Sequence, residues 1–350
     1  MTVAERRIED ESRGRLAFRM RGLGGALRSS FGAPLLVLAV GFVVSLSGAS
    51  NRTMHLSVLA CGYGLAATGL GFLYGTGGQL SIGHGALMGV GAYTGVLLAD
   101  NAGLPFFLAI AIAMLLTMLA AGVVGAAGAR VEGHYFLIVT FVFAAAMPSI
   151  ANNLVSLTGG NEGKPVLRSP PTVGPLDFSR RSDWLYAATV LLAAAVLSVG
   201  LLRRSKLGYE LMGLRENEVL ARSFGIRTGW VRIVGFGISG AYAALGGSVL
   251  AYYERYLSPS QYSVPKGIDL VLMVLLGGGS TRLGPIVGAV IVVFLPEVLG
   301  LTPVQNEIAL GTLLIAIVLA APEGVASIPG LLREKWTFRR QSGSPVRADL

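Results

Sequence analysis

The sequence predicts an all-α, polytopic integral membrane protein of about ten transmembrane segments (8–10), some of them short or broken by glycine, with a pseudo-symmetric relation of two halves among the expectations. Three observations predict it. Of 350 residues, 53% are hydrophobic and 13% charged, whereas soluble domains carry about 25% charged residues. The mean hydropathy is +0.66. Apolar runs near or above the ~18 residues that cross a bilayer recur along the chain. Backbone amides in hydrocarbon must bond within their own segment, which selects a helix bundle.

Residues 1–32 hold seven arginines and four acids and read as a retained basic cytoplasmic tail against the anionic leaflet. The first span, 33–50, carries "APLLVLAVGFVVSLSGA", and 54–76 follows it. The glycine-dense stretch 80–99 is third, "LPFFLAIAIAMLLTMLAAGVVGAA" within 104–128 fourth, and 134–155 fifth. Then come 184–202, 231–256, 266–277, 284–300 and 305–321. The run 266–277 is short, and Gly277, Gly278 and Gly279 break it from its successor, so the two form either one span or a helical hairpin.

The positive-inside rule arbitrates. With ten spans and a cytoplasmic N-terminus, 21 of the 28 lysines and arginines fall inside, Arg130 and Arg282 among them. Seven fall outside, including Arg52, Lys164, Arg181 and Lys266, and the acidic Asp269 falls near an external span end. Nine spans would move five C-terminal basic residues outside, so ten are preferred. The expected organisation is a tail at 1–32, a transmembrane domain at 33–322 with an external loop at 156–183 and a cytoplasmic loop at 203–230, and a second cytoplasmic tail at 323–350.

Several function classes fall away. The net charge of +9 serves orientation and lipid contact, since no basic stripe interleaved with aromatics points to nucleic acid. The single cysteine, Cys61, excludes an intrachain disulfide. No metal site is expected, because His55, His84 and His134 lie in different spans. "GGNEGKP" at 159–165 is not a phosphate-binding loop, so any ATP used is hydrolysed by another chain. The glycines and prolines of the external loop exclude a regular helix and leave a segment able to order on a partner.

The cytoplasmic loop is more informative. From Tyr209 to Phe224, apolar Leu211, Leu214, Val219, Leu220 and Phe224 recur at helical spacing, with Arg215, Glu216, Glu218 and Arg222 between them. Gly225 then ends the helix. The pattern fits a solvated connector, or an apolar ridge that a soluble subunit grips.

"LSIGHGALMGVGAYTG" at 80–95 sets Gly83, Gly85, Gly89, Gly91 and Gly95 in an apolar context. Small residues four apart let helices approach closely in lipid, and a broken glycine-rich helix can expose backbone groups to a substrate. Gly279 and Gly284 repeat the five-residue step of Gly78 and Gly83, which suits two related halves. His84 is read as a packed histidine or a lining residue of a translocation path. Ser81, Tyr93, Thr140, Asn152 and Asn153 are further candidates for that path, the asparagines alternatively as helix caps.

Four blocks, "GQLSIGHGALMGVGAYTG" (78–95), "RVEGHYFLIVT" with "ANNLVSLTGGNEG" (130–163), "GYELMGLRENEVLARSFGI" (208–226) and "YLSPSQYSVPKGIDLVLMVLLGGGSTRLGPIVGA" (256–289), occur in this order. In order and spacing they resemble the permease subunits of branched-chain amino acid ABC transporters, specifically the Liv-type member with the long external loop. The resemblance implies a bacterial inner-membrane protein with both termini cytoplasmic and a heterodimeric core with a second permease. It also implies two cytoplasmic ATPase subunits, which carry the ATP and magnesium, and a periplasmic substrate-binding protein. Leu214, Arg215, Glu216, Glu218, Arg222 and Gly225 then fall in the segment that rests in the ATPase cleft.

Two departures stand out. Ala145 and Pro148 occupy the place of a charged pair common in the family, and Ser280 and Arg282 replace a glycine and an apolar residue. The expected function is import of branched-chain or related small amino acids by alternating access, with no enzymatic chemistry in this chain. Urea or short amides are the alternative substrates. A secondary transporter or channel and an intramembrane hydrolase are the readings from other classes.

Overall fold

The computed structural model describes residues 32–45, 47, 50–129, 135–168, 170–172, 177–320 and 324–327. Nearly all of both expected tails, with their basic residues, and Arg130 and His134 lie outside these residues. Helices α1 (Gly32–Ser45), α2 (Asn51–Gly77), α3 (His84–Asp100), α4 (Phe106–Gly128) and α5 (Tyr135–Asn153) come first. A single turn, α6 (Val155–Thr158), precedes α7 (Arg181–Leu202), α8 (Lys206–Glu216), α9 (Glu218–Ser223) and α10 (Thr228–Glu254). Helices α11 (Val264–Gly277), α12 (Gly284–Leu299) and α13 (Pro303–Ala320) complete the bundle.

Each of the ten expected spans contains a helix. Among the described residues, α2, α4, α5, α7 and α10 are long and apolar enough to cross a membrane, and α1, α12 and α13 are shorter apolar helices. Leucines and valines of α4, such as Leu119 and Val123, stand exposed, as a lipid face requires.

Contacts sort the helix ends into two groups. At one end Arg52 pairs with Glu297, and the Arg181 guanidinium donates to the Asn51 carbonyl at 3.2 Å. At the other, Arg203 donates to the carbonyls of Ser280 (2.9 Å), Gly279 (3.1 Å) and Gly71 (3.3 Å). The hairpin expected of α11 and α12 is present, because a Cβ on Gly288 would strike the Met273 carbonyl and one on Gly277 the Gly284 carbonyl. Those pairings are antiparallel.

The core forms where α10 lies between α2 and α3. It is built on close backbone approach: a methyl on Gly91 would overlap the Ala244 backbone, and one on Gly247 the Met88 carbonyl. Hydroxyls then bond across the contact, Ser248 to the Gly91 carbonyl and Tyr252 to the Gly95 carbonyl, both at 3.1 Å. In lipid such packing and bonding replace the hydrophobic drive.

Two expected spans differ from simple crossings. Helix α2 stops at the left-handed Gly78 (φ 69°), and residues 78–83 run non-helically before α3 begins at His84. His84 bonds Ser239, near the middle of α10, so α3 starts inside the bundle. From the opposite end, Tyr256–Leu257 and the turn Pro259–Tyr262 lead to α11, whose Gly267 packs against Ile82 and Gly85. Helix α11 therefore also starts at mid-depth. Lys266 and Asp269, placed by the sequence at the external end, lie instead at the level of His84. Both irregular stretches keep buried residues, Ser81 and Gly83 in one and Leu257 and Pro259 in the other, as backbone inside a bilayer must.

Gly78 and Gly278 share one role. Each ends a helix with positive φ (69° and 98°) before a short break, and the next helix begins at His84 or Gly284.

The described part of the loop at 156–183, expected to be external, contacts other elements of this chain. Strand β1 (Lys164–Pro165) pairs antiparallel with β2 (Tyr256–Leu257), and the Asp100 carboxylate accepts the amides of Leu167 (3.1 Å) and Arg168 (3.0 Å). Trp184 Nε1 donates to the Phe178 carbonyl at 2.8 Å. The described part of the loop is ordered on this chain's own helices.

Candidate functional site: a cavity beside α3 and a latched surface segment

A cavity of about 200 Å³ opens between α3, α5 and the turn at Pro259–Tyr262. Gly89, Tyr93 and Thr94 form one wall, Pro148 and Ala151 the other, and Tyr262 the floor. Tyr93 is buried, its hydroxyl has no hydrogen-bond partner, and its ring meets Tyr262 edge-on at 6.4 Å. Pro148 lies within α5 and has no amide hydrogen for the Ala144 carbonyl four residues back. Of the two residues at the first departure noted in the sequence, Pro148 lines this wall and Ala145 does not.

The other path candidates sit around the cavity rather than in it. Ser81 Oγ accepts the Gly83 amide at 3.1 Å and shapes the break before α3. His84 is fully buried; its Nε2 meets Ser239 Oγ at 3.1 Å, its ring meets Phe236 edge-on, and its Nδ1 has no partner. Thr140 donates to the Leu137 carbonyl and packs on Gly83. The buried Asn152 Oδ1 is unpaired, while Asn153 donates to the Ser149 carbonyl at 2.8 Å. Gly85 and Gly89 receive Gly267 and Tyr262, Gly95 receives Ser248, and Gly279 receives Tyr74. Among the described residues, no three His, Cys, Asp or Glu side chains gather as a metal site.

The segment after Arg203 forms two helices, not the one its periodicity suggests. Asn217 is extended (φ −159°, ψ 108°), and its side chain accepts the Leu220 amide at 3.0 Å, capping α9. The apolar ridge is thereby divided. Leu211 and Leu214 of α8 are buried, Leu211 against Gly77 and Gly235, and Arg215 bonds the Gly75 carbonyl. Val219 and Phe224 of the second part are 79% and 78% exposed, with Leu220 beside them, while Glu216 is exposed at the junction. Gly225 (φ 80°) turns the chain, and the Ile226 amide returns to the Ala221 carbonyl at 3.1 Å.

Glu218 latches α9 to the bundle. One carboxylate oxygen takes Arg222 at 2.7 Å and the other takes Arg232 of α10 at 2.5 Å. Burial pushes the Glu218 carboxyl up, but Arg232, with Arg222, more than offsets this and holds it below its ordinary value. A depressed carboxyl adds stability above its unfolded pKa, about 4.3, and loses it as pH falls through its own lower value. The α9 amides should therefore keep constant exchange protection above about pH 5 and lose it in acid. Glu218→Gln should lower that protection about tenfold at neutral pH, the loss of charge-assisted bonds worth roughly 1.5 kcal/mol. Hydrogen exchange with mass spectrometry reads both; equal protection in the variant would show that the latch is idle.

With this geometry in place, the likeness to known proteins becomes specific. The family model of the permease component of branched-chain amino acid transport systems matches residues 52–321. The chain belongs to that family. As a permease it is similar to the high-affinity branched-chain amino acid transport system permease protein LivM of Escherichia coli, 28% identical over 83% of this chain and 73% of that one. LivM of Salmonella typhimurium matches at the same identity and coverage. The autoinducer 2 import system permease protein LsrC of Salmonella paratyphi B is 30% identical over 36% of this chain and 39% of its own. No solved structure gives a significant match. The permease match spans α2 to α13 and so includes the cavity, both broken helices and the α8–α9 segment.

Sequence reasoning missed Tyr63, Lys266 and Asp269 as a group. Lys266 Nζ lies 3.0 Å from Asp269 Oδ2 and 4.5 Å from the centre of the Tyr63 ring. The signal is the i,i+3 charge pair beside an apolar run, which hydropathy alone assigns to an external span end.

Proposed function

We propose that this chain is one of two permease subunits of an ATP-driven importer for branched-chain or related small amino acids in a bacterial inner membrane. A second permease closes the membrane core, a periplasmic binding protein delivers substrate, and two cytoplasmic ATPases bind the ATP and magnesium. Residues 33–322 form the transmembrane domain, and the tails at 1–32 and 323–350 are cytoplasmic, on the side of Arg203 and Arg215.

The observation that carries the reading is the α8–α9 segment. It is bolted to the bundle through Leu211, Arg215 and Glu218, yet it holds Val219 and Phe224 in solvent. A rigidly anchored apolar knob transmits a push to whatever anchors it. Here the anchors are the end of α2 and the start of α10, the two helices that lead into the irregular stretches before α3 and α11. Closure of the ATPases then tilts α2 and α10 and switches the permease pair between two conformations, with substrate passing at the permease interface.

The test is reconstitution. Proteoliposomes holding the two permeases, the two ATPases and the binding protein should accumulate leucine when ATP is supplied on the ATPase side, and vesicles with this chain alone should not. Transport by the isolated chain, or labelling of a cysteine at position 219 from the periplasmic side of intact cells, would overturn the proposal.

A further inference from the structure

We propose that Lys266 and Asp269, with Tyr63, form the station where the substrate's zwitterionic head group is held during passage, a reading that rests on the proposed amino-acid import. The pair sits at the N-terminus of α11, level with the start of α3 in the middle of the bundle. An ammonium and a carboxylate at that depth are costly, and ionisable residues within spans mark substrate pathways. The ion pair and the Tyr63 ring lower that cost without sealing the pair: the Lys266 and Asp269 side chains remain 23% and 33% exposed.

The chemistry is that of a mirror. A free amino acid carries a carboxylate and an ammonium a few bonds apart, and Lys266 and Asp269 present the opposite charges 3.0 Å apart. Docked head to tail, the four charges form a closed ring, so the substrate enters without leaving any charge unpaired. The positive N-terminal end of α11 adds to Lys266 in favouring the carboxylate. Beyond the pair, Gln261 Nε2 donates to the Glu254 carboxylate at 3.5 Å. Neither an anion nor a cation alone closes the ring, since each would leave one member of the pair without a partner.

The experiment uses the assembled permease–ATPase complex in nanodiscs without its binding protein, so that only membrane sites bind radiolabelled leucine. Leucinamide, which lacks the carboxylate charge, and 4-methylpentanoate, which lacks the ammonium, should compete at least tenfold more weakly than leucine. Lys266→Met should weaken leucine at least tenfold and abolish the discrimination against leucinamide. A merely structural lysine would weaken both ligands in parallel. Because one partner removed alone strands a charge, the paired variant Lys266→Met with Asp269→Leu keeps the test readable. It should bind leucine at least tenfold more weakly while remaining monodisperse with an unchanged melting temperature. Leucine binding within twofold of the original by that variant overturns the proposal. So does the absence of saturable binding by a complex that imports leucine once its binding protein is restored. A complete complex that imports no branched-chain amino acid fails the functional reading instead.

Discussion

Placing aspartate at both Val219 and Phe224 should reduce ATP-driven leucine uptake at least a hundredfold, with the permease still inserted and folded. Both side chains stand largely in solvent, whereas the α8 anchors Leu211 and Leu214 are buried. Each would bury about 1.5–3 kcal/mol of apolar surface in a partner's cleft, and each 1.4 kcal/mol lost is tenfold in affinity. The two substitutions together therefore remove about 3 kcal/mol before any charge is desolvated. Copurification of the ATPases with the tagged permease should fall in step with uptake. Gly225→Pro reaches the same end differently, because proline holds φ near about −65° where the chain needs 80°. Glu216→Arg reverses charge at the exposed junction and should weaken uptake without unlatching α9. Full uptake by the double aspartate variant would remove α9 from the coupling route.

Gly91→Leu should abolish recovery of folded permease. The added side chain would have to enter the backbone of α10 at Ala244, and its neighbours there, Ser248 and Tyr252, depend on the same approach for their bonds to α3. Overpacking a close contact costs about 1–3 kcal/mol when neighbours can yield; here backbone meets backbone, and the helices must separate. Gly311→Leu is the control, since nothing lies within 4 Å of a Cβ there. Size-exclusion profiles and melting in detergent should separate the two variants, and a monodisperse Gly91→Leu protein of unchanged melting temperature would contradict the packing argument.

The sequence made the helices legible but not their depth. Long apolar runs such as those of α4 and α7 admit one reading, and arginine placement preferred the α11–α12 hairpin over a single span. Depth was hidden because hydropathy counts residues along the chain and is blind to where a helix starts. Residues 78–83 and 255–263 are short and mixed in polarity, and only the helix starts they lead to, His84 on Ser239 and Gly267 against Gly85, show that they run into the bundle. The candidate site was legible in part. Tyr93 was singled out through the glycine block that surrounds it, whereas Lys266 and Asp269 were assigned to the wrong level. The α9 break at Asn217 was legible in principle, since Asn followed by Glu is an N-cap signature, but the apolar periodicity across it masked the stop.

The buried starts of α3 and α11 impose an order on biogenesis. Helices long enough to span can leave the insertion machinery one at a time, because each satisfies its own backbone in lipid. The lead-in stretches of α3 and α11 cannot, for their backbone finds shelter only against other parts of the chain: Thr140 of α5 and Gly267 of α11 for the first, strand β1 for the second. Maturation of this permease therefore ends with two late docking events inside an already inserted scaffold, and quality-control proteases would meet an incomplete chain at those same two segments.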